Sequence, residues 1–218
     1  MDIDKTRAKL LAATLAQVPF DGWTGRALRA GAAEAGLDPA GALNAFPGGP
    51  AELIEFFSAE VDRRMLAELE KRDLASMKVR QRVAAAVRAR LEDLAPHREA
   101  VRRALSYLAL PRNAALGAKC LYRTVDAIWY AAGDTSTDYN FYTKRLLLAG
   151  VYSSTLLCWL NDTSEGRAET WAFLDRRIAE VMRLGATLGR SVGALLDLPD
   201  RILRGRANRR PKRGQYTV

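Results

Sequence analysis

Few side chains in this sequence have the chemistry of a catalytic group or a metal ligand. The single histidine is His97, and the two cysteines, Cys120 and Cys158, have no CxxC spacing. Because a zinc site needs several such ligands close together, we predict no metal site and two buried, reduced thiols. Asp134 and Asp138 stand among Ser and Thr residues, so we expect them to cap a helix rather than exchange protons. We therefore predict that the protein is not an enzyme and has no cofactor.

The segment from residue 133 to residue 145 is polar and rich in aromatic residues, and an uncharged stretch, residues 146–160, follows it directly. A helix from about Asp138 to Leu160 would be apolar nearly all round after Arg145, which is typical of the buried centre of a bundle. The same helix could instead line an apolar cavity, and periodicity does not separate the two alternatives. Small residues between Ala149 and Ser154 leave room on one side and favour the cavity.

The composition indicates a globular chain with an excess of positive charge. Hydrophobic residues make up 49% of the 218 residues, and the formal net charge is +9 at pH 7. Such an excess suits nucleic acid, an anionic membrane surface or an acidic partner, and composition alone does not choose among them. Without a secretory signal or a run long enough to span a bilayer, the sequence predicts a cytoplasmic protein.

Almost every segment has the composition and periodicity of a helix, with little β-branched alternation. The N-terminal part is predicted to form four helices. The first covers residues 4–18 and is ended by Pro19 and Asp21-Gly22, and the second covers residues 24–35, with Thr24 as N-cap and Gly36 as the stop. The third is Pro39–Ala45, with Asp38 as N-cap, and the fourth starts near Ala51, with Leu53, Ile54, Phe57, Val61 and Leu66 as its inner face. Short helices joined by tight turns are therefore expected here.

Longer helices are predicted for the rest of an all-α bundle. They begin at Ser76, Pro96, Ala114 and Asp138, and a further helix contains Trp171–Gly185. The inner face of the helix after Ser76 is predicted to consist of Val79, Val83, Val87, Leu91 and Leu94. The arginines of that helix are expected to lie mostly on its solvated face: Arg80, Arg82, Arg88 and Arg90. His97 is expected to be exposed in the first turn of the following helix.

The order of the first three helices is that of a helix-turn-helix domain, and it resembles the N-terminal domain of TetR-type transcriptional regulators. The residues at the would-be DNA-reading surface argue against DNA binding. No Lys or Arg occurs between Arg29 and Arg63, and Asn44 is the one long polar side chain in the third helix. Phosphate neutralisation and base readout both need such side chains. A DNA-binding regulator is therefore the alternative function, and we predict no nucleic-acid partner.

The C-terminal end of the sequence combines apolar, glycine and basic residues. Gly185, Gly189 and Gly193 recur among leucines, and the tail after Pro199 is almost purely basic. Such a stretch can pack closely against another helix, lie on an anionic membrane or bind nucleic acid weakly. The adjacency of apolar and basic side chains favours the membrane. The predicted membrane-binding residues are Leu188, Val192, Leu195, Leu196, Arg201 and Arg204.

Several segments of the sequence resemble one protein family, the lipid-binding accessory proteins of ubiquinone biosynthesis. The segments that look like the signature of this family are residues 128–145, which read IWYAAGDTSTDYNFYTKR, Leu148–Tyr152, residues 170–178, Asp21–Thr24 and Met77–Arg80. The resemblance covers roughly residues 4–190 and is weakest after Gly193.

The resemblance implies an all-α, TetR-like fold that is often dimeric, with a hydrophobic lipid pocket in its C-terminal bundle. It divides this chain into a degenerate helix-turn-helix domain at residues 1–50, a lipid-binding bundle at residues 51–184, an amphipathic membrane-associating helix at residues 185–204 and a basic tail at residues 205–218. The expected location is the cytoplasm, with peripheral attachment to the inner membrane, and a homodimer is expected.

The resemblance also implies a function, because this family presents lipid intermediates to the di-iron hydroxylase that acts on demethoxyubiquinone. That hydroxylase is the expected partner, and an isoprenoid quinone precursor or a phospholipid is the expected ligand. The expected lipid-binding residues are Leu105, Leu108, Ile128, Leu146, Leu147, Gly150 and Ser154. The expected partner-binding residues are Asp138, Asn140, Phe141, Tyr142, Lys144 and Arg145. Where the family usually has Trp-Tyr after Asn, this chain has Phe141-Tyr142, which keeps an aromatic anchor but loses the indole donor.

Overall fold

The computed structural model describes the backbone of residues 3–134 and 139–196, and the side chains of residues 3–134 and 141–183. Within these residues every regular element is a helix, which confirms the all-α prediction. The α-helices are α1 (Ile3–Asp21), α2 (Gly25–Glu34), α3 (Pro39–Ala45), α4 (Gly49–Glu70), α5 (Val79–Asp93), α6 (Arg98–Leu108), α7 (Ala114–Ala131), α8 (Tyr139–Asn161) and α9 (Ala168–Leu196).

The caps of the N-terminal helices follow local sequence chemistry. The Thr24 hydroxyl accepts a hydrogen bond from the Ala27 N–H at 3.2 Å, and the Asp38 carboxylate accepts one from the Gly41 N–H at 2.6 Å. Both predicted N-caps are therefore confirmed. Of the two predicted stops of α1, Pro19 is wrong, because it lies inside the helix, and Asp21-Gly22 is confirmed, because α1 ends at Asp21. The φ of Gly22 is +68°, which is left-handed and suits glycine.

Helices α1 and α2 approach each other closely at Gly31, which is buried against Thr14. A Cβ atom at position 31 would stand 2.7 Å from both the backbone N and the Cα of Thr14. Backbone atoms cannot rotate away as a flexible side chain can, so the two helices would have to separate. Glycine is therefore required here by packing between helices.

The substitution Gly31→Ala is expected to lower the free energy of unfolding by about 1–3 kcal/mol, as overpacking in a well-packed core usually does. Gly25→Ala on the same helix is the matched control, because its Cβ would meet the Arg29 guanidinium, a flexible group, at 3.3 Å. Urea denaturation of both variants measures the difference. An equal free energy of unfolding for the two would contradict this account of the α1–α2 contact.

The core of the bundle is built around α4, which packs against α5 and α7, while α8 packs against α7 and α5. The predicted inner face of α4 is mostly confirmed, since Leu53, Ile54, Phe57 and Val61 are buried. Leu66 is only half-buried, and Met65 and Leu69 are buried in its place. Towards the end of α4 the buried face therefore lies one residue earlier than predicted, at Met65 instead of Leu66.

Two of the predicted starts of the longer helices are wrong. The Ser76 hydroxyl donates to the Asp73 carbonyl in a turn, and α5 begins later, where the Gln81 side chain accepts from the Lys78 N–H at 2.9 Å. Pro96 lies in a short 3-10 turn, and α6 begins only after it.

His97, in the same short turn as Pro96, is half-buried, whereas the sequence predicted that it would be exposed. Burial is the main cause that lowers its pKa, and its ring meets the Phe57 ring edge-on at 6.1 Å.

Helix α8 has one buried face and one exposed face, although residues 146–160 carry no charge. The buried face includes Leu148, Val151, Tyr152, Leu156 and Trp159. The opposite face includes Tyr142 and Leu146, which are 71% and 76% exposed. The alternative of a helix buried all round is therefore wrong. An uncharged helix face can remain exposed, since apolar atoms make up much of the surface of any folded protein.

The chain divides into two compact units, residues 1–175 and residues 176–218, and the division falls within α9. In the first unit Asp162 organises the turn before α9, since its carboxylate accepts hydrogen bonds from the Ser164 and Thr170 N–H groups, each at 2.8 Å. Together with the hydroxyls of the same two residues, these bonds hold the pKa of Asp162 well below its usual range. The described part of the second unit is the remainder of α9.

Candidate functional site

An apolar cavity of about 340 Å³ lies in the first unit, among five helices. Helices α4 and α5 contribute Ile54, Phe57, Ser58, Val61 and Arg90, and Leu94 follows the end of α5. Helix α6 contributes Val101, Ala104, Leu105 and Leu108, and Ala109 follows its end. Helix α7 contributes Gly117, Cys120, Leu121 and Thr124, and α8 contributes Tyr152, Ser153, Leu156 and Leu157. The volume is at the lower end of the roughly 300–1,000 Å³ typical of small-molecule sites. A cavity of this size and lining is suited to an apolar ligand.

One end of the cavity is polar and deeply buried. The Arg90 guanidinium, 5% exposed, donates through Nε to the Asp62 carboxylate at 2.7 Å and through Nη2 to the Ser58 hydroxyl at 3.2 Å. Its Nη1 donates to the Tyr152 hydroxyl. The Thr124 hydroxyl donates to the same Asp62 carboxylate at 3.0 Å. We call these five residues, Ser58, Asp62, Arg90, Thr124 and Tyr152, the polar cluster.

The polar cluster contains one ion pair and one neutral phenol. Burial disfavours the charged form of Arg90, but Tyr152 and Asp62 oppose it, and the net shift raises the arginine pKa. Burial also raises the pKa of Tyr152, although the Arg90 charge opposes this. The guanidinium is therefore charged and the phenol protonated near neutral pH. Arg90 and Asp62 cancel each other, so the cluster as a whole is uncharged.

Another part of the lining is apolar and reaches the protein surface. Leu105, Leu108 and Leu121 are half-buried there, and Leu157 is 56% exposed. We call these four leucines the mouth of the cavity. The lining thus combines apolar side chains at the surface with a buried Arg90–Tyr152 pair, which favours entry of an elongated amphiphile between the leucines.

The residues predicted to bind a lipid lie in several places. Leu105 and Leu108 line the cavity at its mouth. Ile128 is fully buried in the core and is not a lining residue. The four predicted residues on α8, which do not line the cavity either, are Leu146, Leu147, Gly150 and Ser154. The helix contributes to the wall one turn later, through Tyr152, Ser153, Leu156 and Leu157.

Sequence reasoning missed the polar cluster, although a signal was present. Arg90 was assigned to the solvated face of α5, but it is buried and stands seven residues after Val83 on the apolar face. Asp62 likewise interrupts the buried face of α4 between Val61 and Met65. A charged residue at an inward position of a helix is costly unless it is paired, so two such residues on neighbouring helices indicate a buried pair.

The predicted partner-binding residues include one exposed side chain and several that are engaged within the protein. Arg145 is buried, stacks on the Phe141 ring at 3.3 Å from its centre and pairs with Asp126 at 2.6 Å. Lys144 pairs with Asp134 at 2.8 Å. Tyr142 is the exposed residue, and its ring meets that of Phe141 edge-on at 5.1 Å.

The remaining predicted site residues fall outside the described part of the chain. Asp138 is not described, and of Asn140 only the backbone is. The side chains of Leu188, Val192, Leu195 and Leu196 are likewise outside the described residues, and so are Arg201 and Arg204.

The chain is similar to a known protein family involved in ubiquinone biosynthesis. Residues 114–185, which form α7, α8 and the first part of α9, match the model of the COQ9 family. The chain is 38% identical over 191 residues to the "Ubiquinone biosynthesis protein COQ9, mitochondrial" of Rattus norvegicus, and 36% identical to that of Homo sapiens; each match covers 84% of this chain. The family resemblance predicted from the sequence is confirmed. The matched segment supplies the α7 and α8 walls of the cavity.

The likeness to the COQ9 proteins has a limited extent. The chain spans 61% of the length of the rat protein and 60% of the length of the Drosophila melanogaster protein, to which it is 35% identical. These COQ9 relatives are named as mitochondrial, whereas the sequence alone predicted the cytoplasm.

A solved structure of another protein has the same fold as this chain. The crystal structure of the TetR transcriptional regulator from Nitrosomonas europaea superposes with a TM-score of 0.67, covering 81% of this chain and 97% of the regulator at 21% identity. The predicted TetR-like fold is confirmed. At this identity the likeness concerns the fold and not the function.

The described residues include neither a candidate membrane-spanning helix nor a candidate metal-binding cluster. None of the helices in residues 3–134 and 139–196 combines the length and apolarity needed to cross a membrane. No group of three or more His, Cys, Asp or Glu side chains in the described part of the chain is arranged to hold a metal ion.

The two cysteines are free thiols, of which Cys120 is buried and Cys158 is half-buried. Burial is the main cause that raises the pKa of Cys120.

Proposed function

We propose that this chain is a non-enzymatic, lipid-binding accessory protein of ubiquinone biosynthesis. The cavity of about 340 Å³, whose walls come partly from the COQ9-like segment, supports this proposal most directly. Its lining is mostly aliphatic, with a few polar groups gathered at one end, as is common in sites that bind small apolar molecules. The ligand in this proposal is an isoprenoid quinone precursor or a phospholipid, and it is carried rather than transformed.

The proposal also includes a protein partner, the hydroxylase that acts on demethoxyubiquinone. Tyr142 supports this part, because a large, exposed aromatic side chain is a frequent anchor of protein interfaces. Its neighbours Phe141, Lys144 and Arg145 are held by contacts within the protein, and they would present Tyr142 in a fixed orientation. Asp138 and Asn140 complete the proposed contact surface.

Peripheral attachment to the inner membrane and a homodimeric state complete the proposal. The alternation of leucine, glycine and arginine after residue 184 supports a membrane contact, because apolar residues enter the interface while arginines meet anionic lipid. The proposed contact residues are Leu188, Val192, Leu195, Leu196, Arg201 and Arg204.

The alternative of a DNA-binding regulator is not favoured by the third helix. α3 exposes Leu43 and Asn44 and contains no Lys or Arg. A recognition helix without cations, and with Asn44 as its one long polar side chain, lacks most of the contacts that bind phosphates and read bases.

Filling the cavity tests the proposal. Ala104 is buried and lines the cavity, so Ala104→Phe is expected to occupy part of its volume and to weaken lipid uptake about tenfold or more. The measurement is the amount of ubiquinone extracted from the purified full chain after incubation with vesicles that contain it. Ala115→Phe is the matched control, because Ala115 is exposed on α7 and does not line the cavity. Undiminished uptake by a folded Ala104→Phe variant would count against a ligand in this cavity.

A further inference from the structure

The polar cluster lies where the head of an amphiphilic ligand would arrive. The lining combines Leu157, which is exposed, with Arg90 and Tyr152, which are buried, so a ligand that enters between the leucines of the mouth has to go inward to reach the polar cluster. Placing a polar head among the leucines and an alkyl chain against the polar cluster would leave polar groups on both molecules without suitable partners. The head-inward direction avoids this cost, and the tail then points towards solvent or a membrane.

The charge of the polar cluster selects among possible heads. Arg90 is the charged residue in the described lining, and its guanidinium is already paired with Asp62 at 2.7 Å. An anionic head, such as a phosphate or a carboxylate, would meet a guanidinium that Asp62 already neutralises and would find no excess positive charge. Desolvating such an anion without a counter-charge is costly. The cluster therefore suits an uncharged head.

Tyr152 supplies the hydrogen-bonding group of the site. Tyr152 lines the cavity, and within the described part of the chain the hydrogen-bond partner of its hydroxyl is Arg90, from which it accepts. A phenol that accepts one hydrogen bond still has its own proton to donate. Acceptance from a guanidinium polarises that O–H group and makes it a stronger donor. The complementary group on a ligand is an oxygen that accepts a hydrogen bond, such as a quinone carbonyl.

The volume of the cavity agrees with a ligand that is only partly enclosed. About 340 Å³ is small for a lipid, so a ring and the first units of a chain would fill it. The remainder of a long isoprenoid chain has to leave between the leucines of the mouth, where Leu157 is already exposed.

We infer that Tyr152, held by Arg90 and Asp62, is the specificity-determining residue of the cavity and donates a hydrogen bond to the carbonyl oxygen of an uncharged quinone-type head that is inserted first. This inference rests on the proposed function, because it concerns the ligand of the same cavity. It distinguishes between the two ligand classes considered there, since it favours the neutral isoprenoid quinone over the anionic phospholipid.

Binding of three probes that share a geranyl tail tests the inference. Isothermal titration calorimetry of the full chain compares a geranyl benzoquinone, the geranyl hydrocarbon without a head, and geranyl phosphate. The expected result is that the quinone binds about tenfold more tightly than either of the others. Equal affinity for quinone and hydrocarbon, or tightest binding of the phosphate, would overturn the inference while leaving a lipid-binding cavity in place. Failure of all three probes to bind would overturn the proposed function and this inference with it.

A substitution of one atom locates the effect. Tyr152→Phe is expected to weaken binding of the quinone about fivefold to tenfold and to leave the hydrocarbon unchanged. Tyr130→Phe, which removes the same hydroxyl from an exposed tyrosine on α7, is expected to change neither. Unchanged quinone affinity in folded Tyr152→Phe would overturn the inference. If circular dichroism shows that Tyr152→Phe does not fold, the inference is tested by the ranking of the three probes on the unaltered protein.

Discussion

Replacing Asp62 by asparagine is expected to lower the free energy of unfolding by about 3–5 kcal/mol, because it leaves the Arg90 guanidinium buried without its counter-charge. Arg90 and Asp62 are 5% and 7% exposed, so water cannot replace the lost partner. Asparagine has nearly the same shape as aspartate, which limits the change to charge and hydrogen bonding. Guanidinium chloride denaturation measures the loss.

The control for this prediction is Glu60→Gln on the same helix. Glu60 pairs with Arg63 at 2.7 Å on the surface, where an ion pair contributes only about 0–1 kcal/mol. A second comparison replaces both partners, Asp62→Leu with Arg90→Met, which removes the buried charge altogether and is expected to recover much of the stability. Equal losses for Asp62→Asn and Glu60→Gln would contradict the assignment of a buried ion pair at the inner end of the cavity.

Replacing Tyr142 by alanine is expected to weaken binding of the demethoxyubiquinone hydroxylase by about 2 kcal/mol, the loss that defines an interface hot spot. This corresponds to roughly thirtyfold in the dissociation constant. Because Tyr142 is 71% exposed and makes its ring contact with Phe141, its removal should leave the fold and the lipid content intact. Surface plasmon resonance with immobilised hydroxylase measures the affinity.

Two further variants separate an interface role for Tyr142 from a structural one. Tyr122→Ala, on an exposed stretch of α7, is the matched control and is expected to bind the hydroxylase normally. Phe141→Ala is expected to destabilise the protein as well as to weaken binding, since it removes the ring on which the buried Arg145 stacks. Unaltered hydroxylase affinity in Tyr142→Ala would show that this surface is not the contact.

Local sequence chemistry was sufficient for the parts of the fold that depend on neighbouring residues. Thr24 and Asp38 cap their helices as predicted, because the donors they satisfy lie three residues further along the chain. Ser76 failed as a predicted cap because its hydroxyl bonds back to Asp73 in the preceding turn, while Gln81 bonds the Lys78 N–H at the start of α5. Periodicity likewise gave most of the inner face of α4 but missed Met65 and Leu69.

The candidate site depends on residues that are distant in the sequence, and most of it was not predicted. Leu105 and Leu108 were predicted for it and do line the cavity, but the expected contribution of α8 was placed one turn too early. Arg90 was assigned to solvent because most arginines are exposed, and only its pairing with Asp62, 28 residues earlier, explains its burial. Where helices leave a cavity is decided by the packing of all of them, which no single segment determines.

The cavity among α4, α5, α6, α7 and α8 is expected to hold a lipid. Native mass spectrometry of the full chain, purified from a host that makes ubiquinone, tests it most directly. The expected result is a bound species with the mass of an uncharged isoprenoid lipid, absent from Ala104→Phe and retained in Ala115→Phe. An unliganded mass in the unaltered protein, or the same lipid in all three proteins, would contradict it.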